Sequence, residues 1–188
     1  INKVDILTDE EDKELLDAVS YLYRSIGYKV LEVSALTGQG IDTLKEMLHG
    51  KISLFSGNSG VGKSSIINSL IPGLELRTAE ISTTHDTGMH TTTFSEMFPL
   101  QDNSGYIIDT PGVKGFGTID FDKHEVAHFF PEIFEISHDC RYGDCTHTHE
   151  PGCAVLEALN DCRISQSRYN SYLSILEDSD PDKYRKPF

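Results

Sequence analysis

Apolar and polar positions along the chain follow a helical period in some stretches and form short apolar runs in others. After an acidic stretch, apolar residues recur at helical spacing: Leu15, Leu16, Val19, Leu22, Tyr23 and Ile26. We expect this helix to begin at a capping box with Thr8 as N-cap and Glu11 at the third helical position, and to end at Gly27. Further helices are predicted over residues 41–48 and 64–70.

Short apolar runs between the helices predict the strands of a sheet. They cover residues 28–33, 52–55, 94–98 and 106–108. Strands that alternate with helices are typical of an α/β fold, here with a mostly parallel sheet and helices on both faces.

The character of the chain changes near residue 116, where cysteines, histidines and polar helical patterns replace the strand signals. Helical patterns follow over residues 154–159 and 169–176. We therefore predict two domains: an α/β domain over residues 1–118 and a small, mostly helical domain over residues 119–188.

Composition narrows the classes of protein that fit. The 188 residues include 30 acidic and 16 basic side chains, a formal net charge of −14, which disfavours a protein that binds nucleic acid through bulk positive charge. No apolar run is long enough to span a membrane, no leader is visible, and the start at Ile1 suggests a piece of a longer protein. Three of four cysteines lie within residues 140–153, which favours a metal site in a reducing compartment; we expect a cytoplasmic protein.

A phosphate-binding loop is the strongest motif. The pattern G-x-x-x-x-G-K-S is matched by Gly57, Asn58, Ser59, Gly60, Val61, Gly62, Lys63 and Ser64, between a predicted strand and a predicted helix. Glycines allow backbone N–H groups to converge on phosphate oxygens, and the helix N-terminus favours negative charge. Lys63 is expected to reach the outer phosphates, Ser64 to bind Mg²⁺, and Ser65 to belong to the same site.

A second phosphate-side motif, Asp109-Thr110-Pro111-Gly112, follows a predicted apolar strand. Open α/β sheets bind ligands at the carboxyl ends of their strands, so Asp109 is a candidate outer partner of Mg²⁺ and the Gly112 amide a candidate phosphate donor. An ordinary Pro-Gly turn is the alternative, which the phosphate loop makes weaker.

Two short motifs suggest guanine recognition. Asn2-Lys3-Val4-Asp5 fits N-K-x-D, in which a carboxylate at Asp5 accepts hydrogen bonds from the ring N–H and the exocyclic amine of guanine. Lys3 can lie along the base plane, and Asn2 can tie neighbouring loops together. Ser34 and Ala35 begin a second motif, S-A-L-T-G, whose backbone amides can face the guanine carbonyl.

The motifs occur in the order N-K-x-D, S-A-x-T-G, phosphate loop, threonine loop and D-T-P-G, whereas ordinary small GTPases begin with the phosphate loop. The chain therefore looks like a circularly permuted GTPase of the P-loop NTPase fold, and it closely resembles the ribosome small subunit-dependent GTPase A family. The resemblance implies GTP and GDP as ligands, and the small ribosomal subunit and its rRNA as partners. It also implies an amino-terminal OB-fold domain, which these residues do not include. We expect the protein to be a monomer and to have no membrane partner.

A threonine-rich segment between the phosphate-loop helix and the next strand is a candidate switch loop. Thr92, with Thr91 as the alternative, can complete the Mg²⁺ shell and sense the terminal phosphate. Val113 stands where many GTPases have a glutamine that orients the attacking water, so we expect His90 to take that role, and the resemblance supports a histidine there. Lys63 and Thr92 are the other candidate catalytic residues.

A cysteine- and histidine-rich segment predicts a structural zinc site. Cys140, Cys145, His147 and Cys153 offer three thiolates and an imidazole, a set suited to one closed, tetrahedral Zn²⁺ per chain. His149 and, less well, His138 are alternatives to His147, which the family resemblance favours. Cys162 lies on a helical pattern and is expected to be a core thiol, outside the zinc site.

The combined motifs predict a Mg²⁺-dependent enzyme that hydrolyses GTP to GDP and phosphate and gates late assembly of the small ribosomal subunit. The alternative is a GTP-sensing module without hydrolysis that docks on RNA or protein, which Val113 favours. A P-loop ATPase or kinase with a zinc lid is disfavoured by Asn2 and Asp5. Arg141, Arg163, Arg168 and Lys183 are candidate contacts to RNA phosphates, with a solvated surface as the equal alternative.

Overall fold

Two separate apolar clusters organise the computed structural model, which describes residues 1–76, 95–110 and 122–179. The chain divides into two compact units, Ile1–Gly115 and Phe116–Phe188, and each cluster lies within one of them. In the described part of the chain, no helix is both long and apolar enough to cross a membrane.

In its described residues, the first unit contains a three-stranded sheet. Its strands are β1 (Ile52–Phe55), β2 (Glu96–Pro99) and β3 (Tyr106–Asp109), in the order β1-β3-β2. β1 and β3 are parallel, with Phe55 opposite Asp109, while β2 and β3 are antiparallel. The sheet was expected to be mostly parallel, and in the described residues it has one pairing of each kind. The parallel pair brings the carboxyl ends of β1 and β3 together.

The described part of this unit also contains three α-helices: α1 (Glu10–Ser25), α2 (Ile41–Leu48) and α3 (Lys63–Leu70). The bounds of α2 are those predicted, and α3 begins one residue earlier than predicted. The predicted N-cap at Thr8 is wrong. Asp9 has the extended backbone of an N-cap, and its carboxylate accepts a hydrogen bond of 2.9 Å from the backbone N–H of Asp12.

The strand predicted over residues 28–33 is absent from the described range 1–76. Two hydrogen bonds join these residues to Ile1: its amino group donates to the Leu31 carbonyl (2.6 Å), and Val33 N–H donates to the Ile1 carbonyl (2.8 Å). Lys3 then adopts a left-handed conformation (φ 68°), which turns the chain into a single 3₁₀ turn, Val4–Ile6. A further bond of 3.3 Å runs from the Val4 N–H to the Val33 carbonyl, yet residues 28–33 of the described range form no strand.

The second unit is helical among its described residues. It contains a 3₁₀ turn, Val126–Phe129, and the helices α4 (Pro131–Ser137), α5 (Ala154–Asn160) and α6 (Gln166–Asp178). Its buried cluster includes Ile133, Val155 and Tyr172. The sequence placed α5 to within one residue, and it placed α6 but predicted it too short at both ends.

Two expectations for this unit are wrong. Cys162 follows α5 in a left-handed conformation (φ 58°) and is exposed, so it is not a core thiol. Arg168 is not a surface charge. Its guanidinium donates to both carboxylate oxygens of Glu132, at 2.6 and 3.2 Å, and both side chains are largely buried.

Candidate functional sites

The loop between β1 and α3 has the geometry that the phosphate-loop motif requires. Gly60 and Gly62 adopt left-handed conformations (φ 82° and 90°), and Gly62 is the N-cap of α3. The ammonium group of Lys63 donates to the carbonyls of Gly57 (2.8 Å) and Asn58 (3.0 Å), which holds it against the loop. Ser59 lies in the turn of the same loop. A phosphate bound there would meet a lysine and the N-terminus of a helix.

A hydroxyl and a carboxylate meet where β3 ends. Asp109 is 1% exposed, and its Oδ2 lies 3.5 Å from Oγ of Ser64, the second residue of α3. The parallel pairing of β1 with β3 produces this approach, because the phosphate loop leaves β1 at the level of Asp109. Hydroxyl and carboxylate oxygens are the ligands that Mg²⁺ prefers in proteins.

Asn2 connects the candidate base-binding motif with the phosphate loop. Its Oδ1 accepts a hydrogen bond from the backbone N–H of Ala35 (3.2 Å), and its Nδ2 donates to the carbonyl of Val61 (3.0 Å). The Lys3 ammonium donates to the carbonyl of Gly60 (2.9 Å). A Cβ at Gly62 would collide with the Asn2 side chain, so this contact requires glycine there. The N-K-x-D and S-A-L-T-G motifs thus adjoin the phosphate loop.

The remaining guanine candidates lie on the loops beside Asn2. Ser34 is fully buried, and its Oγ accepts a hydrogen bond from Thr37 N–H (3.1 Å), which shapes the S-A-L-T-G loop. Asp5 is partly buried on the 3₁₀ turn Val4–Ile6. The Ser65 carbonyl accepts a hydrogen bond of 2.9 Å from Ser69, whose hydroxyl also lies 3.1 Å from the Ala35 carbonyl.

Apart from Lys63 in the phosphate loop, the candidate switch and catalytic residues, and the two positions at and just after the end of the D-T-P-G segment that bear on them, lie outside the described residues. They are His90, Thr91, Thr92, Gly112 and Val113. Their roles therefore stay predictions.

Four side chains of the second unit form a metal-ligand cluster. The ligand atoms of Cys140, Cys145, His147 and Cys153 all lie within 4.8 Å of one another. The sulfurs of Cys140 and Cys153 are 3.9 Å apart, and Nδ1 of His147 lies 3.6 and 3.5 Å from them. Tetrahedral zinc with Zn–S bonds of about 2.3 Å places two sulfurs about 3.8 Å apart. The donor set and its spacing therefore fit Zn²⁺.

The two alternative histidines do not join the cluster. His149 is exposed, and its Nδ1 lies 2.8 Å from the Thr148 hydroxyl. His138 is exposed after the end of α4.

Burial sets the protonation of the ligands when no metal is bound. It raises the pKa of Cys145 to about 12 and also raises the pKa of Cys153, although backbone N–H groups donate to both sulfurs. Burial lowers the pKa of His147, and the nearby Glu150 carboxylate opposes that shift. A neutral imidazole is ready to bind metal, whereas metal binding must displace the thiol protons.

Sequence reasoning missed three residues that shape this cluster. Glu150 accepts hydrogen bonds from the residues around His147, and these bonds hold its pKa far below the usual range despite its burial, which acts in the opposite direction. Tyr169 and Tyr172 of α6 donate to the carbonyls of His147 and Thr146, each at 2.7 Å. The only sequence signal for the tyrosines is their spacing of three residues, which places both on one helix face.

Known proteins share sequence similarity with the whole of this chain. The RsgA GTPase family profile matches residues 1–119. A small ribosomal subunit biogenesis GTPase RsgA from Bacteroides fragilis is 58% identical over 187 residues, and its counterpart from Porphyromonas gingivalis is 57% identical over 189. Each alignment covers 100% of this chain and 60% of the relative, so the chain spans about three fifths of the length of these relatives.

Two crystal structures show that the similarity to known proteins extends to the fold. YjeQ from Thermotoga maritima superposes with a TM-score of 0.78 at 37% identity, covering 99% of this chain and 59% of the other. YloQ, described as a circularly permuted GTPase, gives a TM-score of 0.74 at 30% identity, covering 100% and 57%. The predicted circularly permuted P-loop fold is thereby confirmed. In family profile, sequence and structure alike, this chain belongs to the RsgA GTPase family.

Proposed function

We propose that this chain is the GTP-binding and GTP-hydrolysing part of an assembly factor for the small ribosomal subunit. The bridge that Asn2 makes between the phosphate loop and the S-A-L-T-G loop carries the proposal, because it unites a phosphate site and a guanine site. The printed name of the relatives, small ribosomal subunit biogenesis GTPase, supplies the partner.

The nucleotide would lie across the joined loops. Asp5 would accept two hydrogen bonds from guanine, while Lys3 lies along the base and the Ala35 amide faces its carbonyl. Phosphate oxygens would replace the carbonyls that the Lys63 ammonium contacts, and they would also meet the first amides of α3. Ser64 would bind Mg²⁺, with Thr92 as a further ligand and Asp109 holding the ion's outer side.

Hydrolysis requires a water molecule in line with the terminal phosphate. Val113 cannot form a hydrogen bond with that water, so His90 would orient it, and a neutral imidazole could also accept its proton. Lys63 and the Gly112 amide would stabilise the charge on the transferring phosphoryl group.

The second unit would serve as a docking surface that a structural Zn²⁺ holds in shape. Arg141 and Arg163 are exposed and available for RNA phosphates, whereas Arg168 is already bonded to Glu132. We place the functional boundary between residues 118 and 119, three residues after the division between the compact units. A monomer in the cytoplasm, with no membrane partner, completes the proposal.

The decisive experiment measures GTP and ATP hydrolysis by the full-length protein that contains this chain, with and without purified small ribosomal subunits. We expect slow, GTP-specific turnover that rises sharply with subunits and falls about 100-fold or more in His90→Ala. His49→Ala, which changes an exposed histidine after α2, is the matched control and should not alter the rate.

A different outcome would identify the second candidate function. Tight GTP binding with no stimulated turnover would show a GTP-sensing module instead of an enzyme, the reading that Val113 favours. Equal hydrolysis of ATP and GTP would contradict the guanine assignment.

A further inference from the structure

We propose that Glu150 is a positioning residue that fixes the backbone of residues 146–149, so that His147, and not His149, completes the metal site. The inference rests on the proposed zinc site, and it concerns which histidine the loop presents.

Glu150 lies between the ligands His147 and Cys153 in the sequence. Its carboxylate accepts hydrogen bonds from the backbone around His147. Its Oε1 accepts hydrogen bonds from the backbone N–H (2.8 Å) and the hydroxyl of Thr146. Its Oε2 accepts from the backbone N–H groups of Thr148 (3.0 Å) and His149 (3.1 Å). The N–H of His147 itself donates to the sulfur of Cys145. Each amide from residue 146 to residue 149 thus points at the carboxylate or at a metal ligand.

This arrangement stabilises an unfavourable backbone conformation at the ligand. His147 is left-handed (φ 57°), a region that residues other than glycine seldom adopt. The hydroxyls of Tyr172 and Tyr169 donate hydrogen bonds of 2.7 Å to the carbonyls on either side of its Cα, those of residues 146 and 147 respectively. With both neighbouring peptide groups fixed, the buried His147 ring is directed to the cysteine sulfurs.

The same bonds keep His149 away from the metal. Its N–H is held by Oε2 of Glu150, and its exposed ring contacts the Thr148 hydroxyl. Two histidines two residues apart could otherwise compete for one ion, since both carry the same donor. A carboxylate suits this task because both of its oxygens only accept hydrogen bonds. A glutamine would present an NH₂ group to N–H donors on one side.

The test compares zinc affinity in the full chain by competition with a chromophoric chelator. We expect Glu150→Gln to bind zinc about 10- to 100-fold more weakly than wild type, and Glu150→Asp to recover part of the loss. Asp144→Asn is the matched control: it removes one negative charge from the same loop at an exposed position and should leave the affinity unchanged. Thr146→Val removes one of the four donors to the carboxylate and should weaken zinc binding about three- to tenfold. This variant still tests the proposal if Glu150→Gln does not fold.

A second measurement tests which of the two histidines binds the metal. In wild type, His149→Ala should leave both zinc affinity and the visible spectrum of the cobalt-loaded protein unchanged. In the Glu150→Gln background the same change should alter both, because the released loop lets His149 compete. The inference is overturned if Glu150→Gln and Thr146→Val bind zinc as Asp144→Asn does, or if His149→Ala already weakens binding in wild type. A wild-type chain that binds no zinc would instead refute the metal site itself.

Discussion

Arg168 and Arg163 lie five residues apart, and their surroundings give them different roles. The Arg168 guanidinium forms a two-pronged ion pair with Glu132 and lies over the ring of Phe130, 4.7 Å from its centroid. Arg163 is mostly exposed, and its nearest carboxylate oxygen, on Asp161, is 3.9 Å away. Burial thus converts one of two similar charges into a structural contact, and only Arg163 retains the accessibility that RNA binding requires.

Arg168→Met should destabilise the second unit by about 3 kcal/mol, because it leaves the buried Glu132 carboxylate without its cation. Thermal unfolding of the zinc-loaded protein, followed by tyrosine fluorescence, measures the loss. Arg163→Met is the matched control and should change stability by less than about 0.5 kcal/mol. Similar midpoints for the two variants would contradict the structural role of Arg168.

Asp5→Asn should weaken GTP binding by about 100-fold or more, since two charge-assisted hydrogen bonds to guanine are lost and each contributes about 1.5–3 kcal/mol. Xanthosine triphosphate should bind this variant better than GTP, because its ring carbonyl can accept from the new amide. Titration with fluorescent nucleotides measures both affinities. Asp9→Asn serves as control, since asparagine also caps α1 well; unchanged GTP affinity in Asp5→Asn would refute the guanine assignment.

Among the elements, α6 links the apolar cluster of the second unit to residues 146–149, the loop that carries the ligand His147. Tyr169 and Tyr172 pack in the cluster while their hydroxyls donate to loop carbonyls. Burial raises the pKa of both phenols above its usual range. Both therefore stay protonated and act as donors throughout the physiological pH range. The helix thereby supports the ligand loop from one side, as Glu150 does from within it.

Tyr172→Phe should destabilise the second unit by about 1–3 kcal/mol, because the Thr146 carbonyl loses its donor in a partly buried position. The variant should also release zinc to a chelator faster than wild type. Tyr21→Phe, at a 74% exposed position of α1, is the matched control and should behave as wild type. Identical zinc release rates for the two variants would rule out support of the loop by α6.

The sequence predicted those elements whose signals are local. The bounds of α2 follow from its apolar period, and the strand, loop and helix around Lys63 follow from glycine chemistry and the position of the lysine. The strand predicted over residues 28–33 is wrong because strand formation depends on a partner that is distant in sequence, which the pattern of these six residues does not contain. The exposure of Cys162 and the pairing of Arg168 with Glu132 are likewise tertiary facts, which periodicity along one helix does not contain.

At the scale of the whole molecule, the proposed nucleotide and zinc sites lie in different units. The phosphate loop and the guanine motifs lie in Ile1–Gly115, whereas the four zinc ligands lie in Phe116–Phe188. Each unit has its own apolar cluster. With a net charge of −14 the chain as a whole repels a polyanion, so the proposed contacts with RNA would depend on local groups.

Hydrogen exchange should therefore respond locally to each ligand. GDP with Mg²⁺ should slow exchange in residues 57–64, and chelation of zinc should speed it in residues 140–153 and in α6, because bound ligands stabilise the segments that they order. Mass spectrometry of peptides from the intact chain measures both effects. Faster exchange in β1 and β3 after chelation would contradict this assignment.

The bridge made by Asn2 has a thermodynamic consequence for the proposed nucleotide. Because one side chain orders both loops, a ligand fragment that occupies either loop lowers the entropy cost of filling the other. Guanosine and pyrophosphate should then bind cooperatively, each raising the affinity for the other. The bridge also joins positions 59 residues apart in sequence, so it depends on proximity in space and not on the order of the segments. A fold that keeps such a contact can tolerate the permuted order of its motifs.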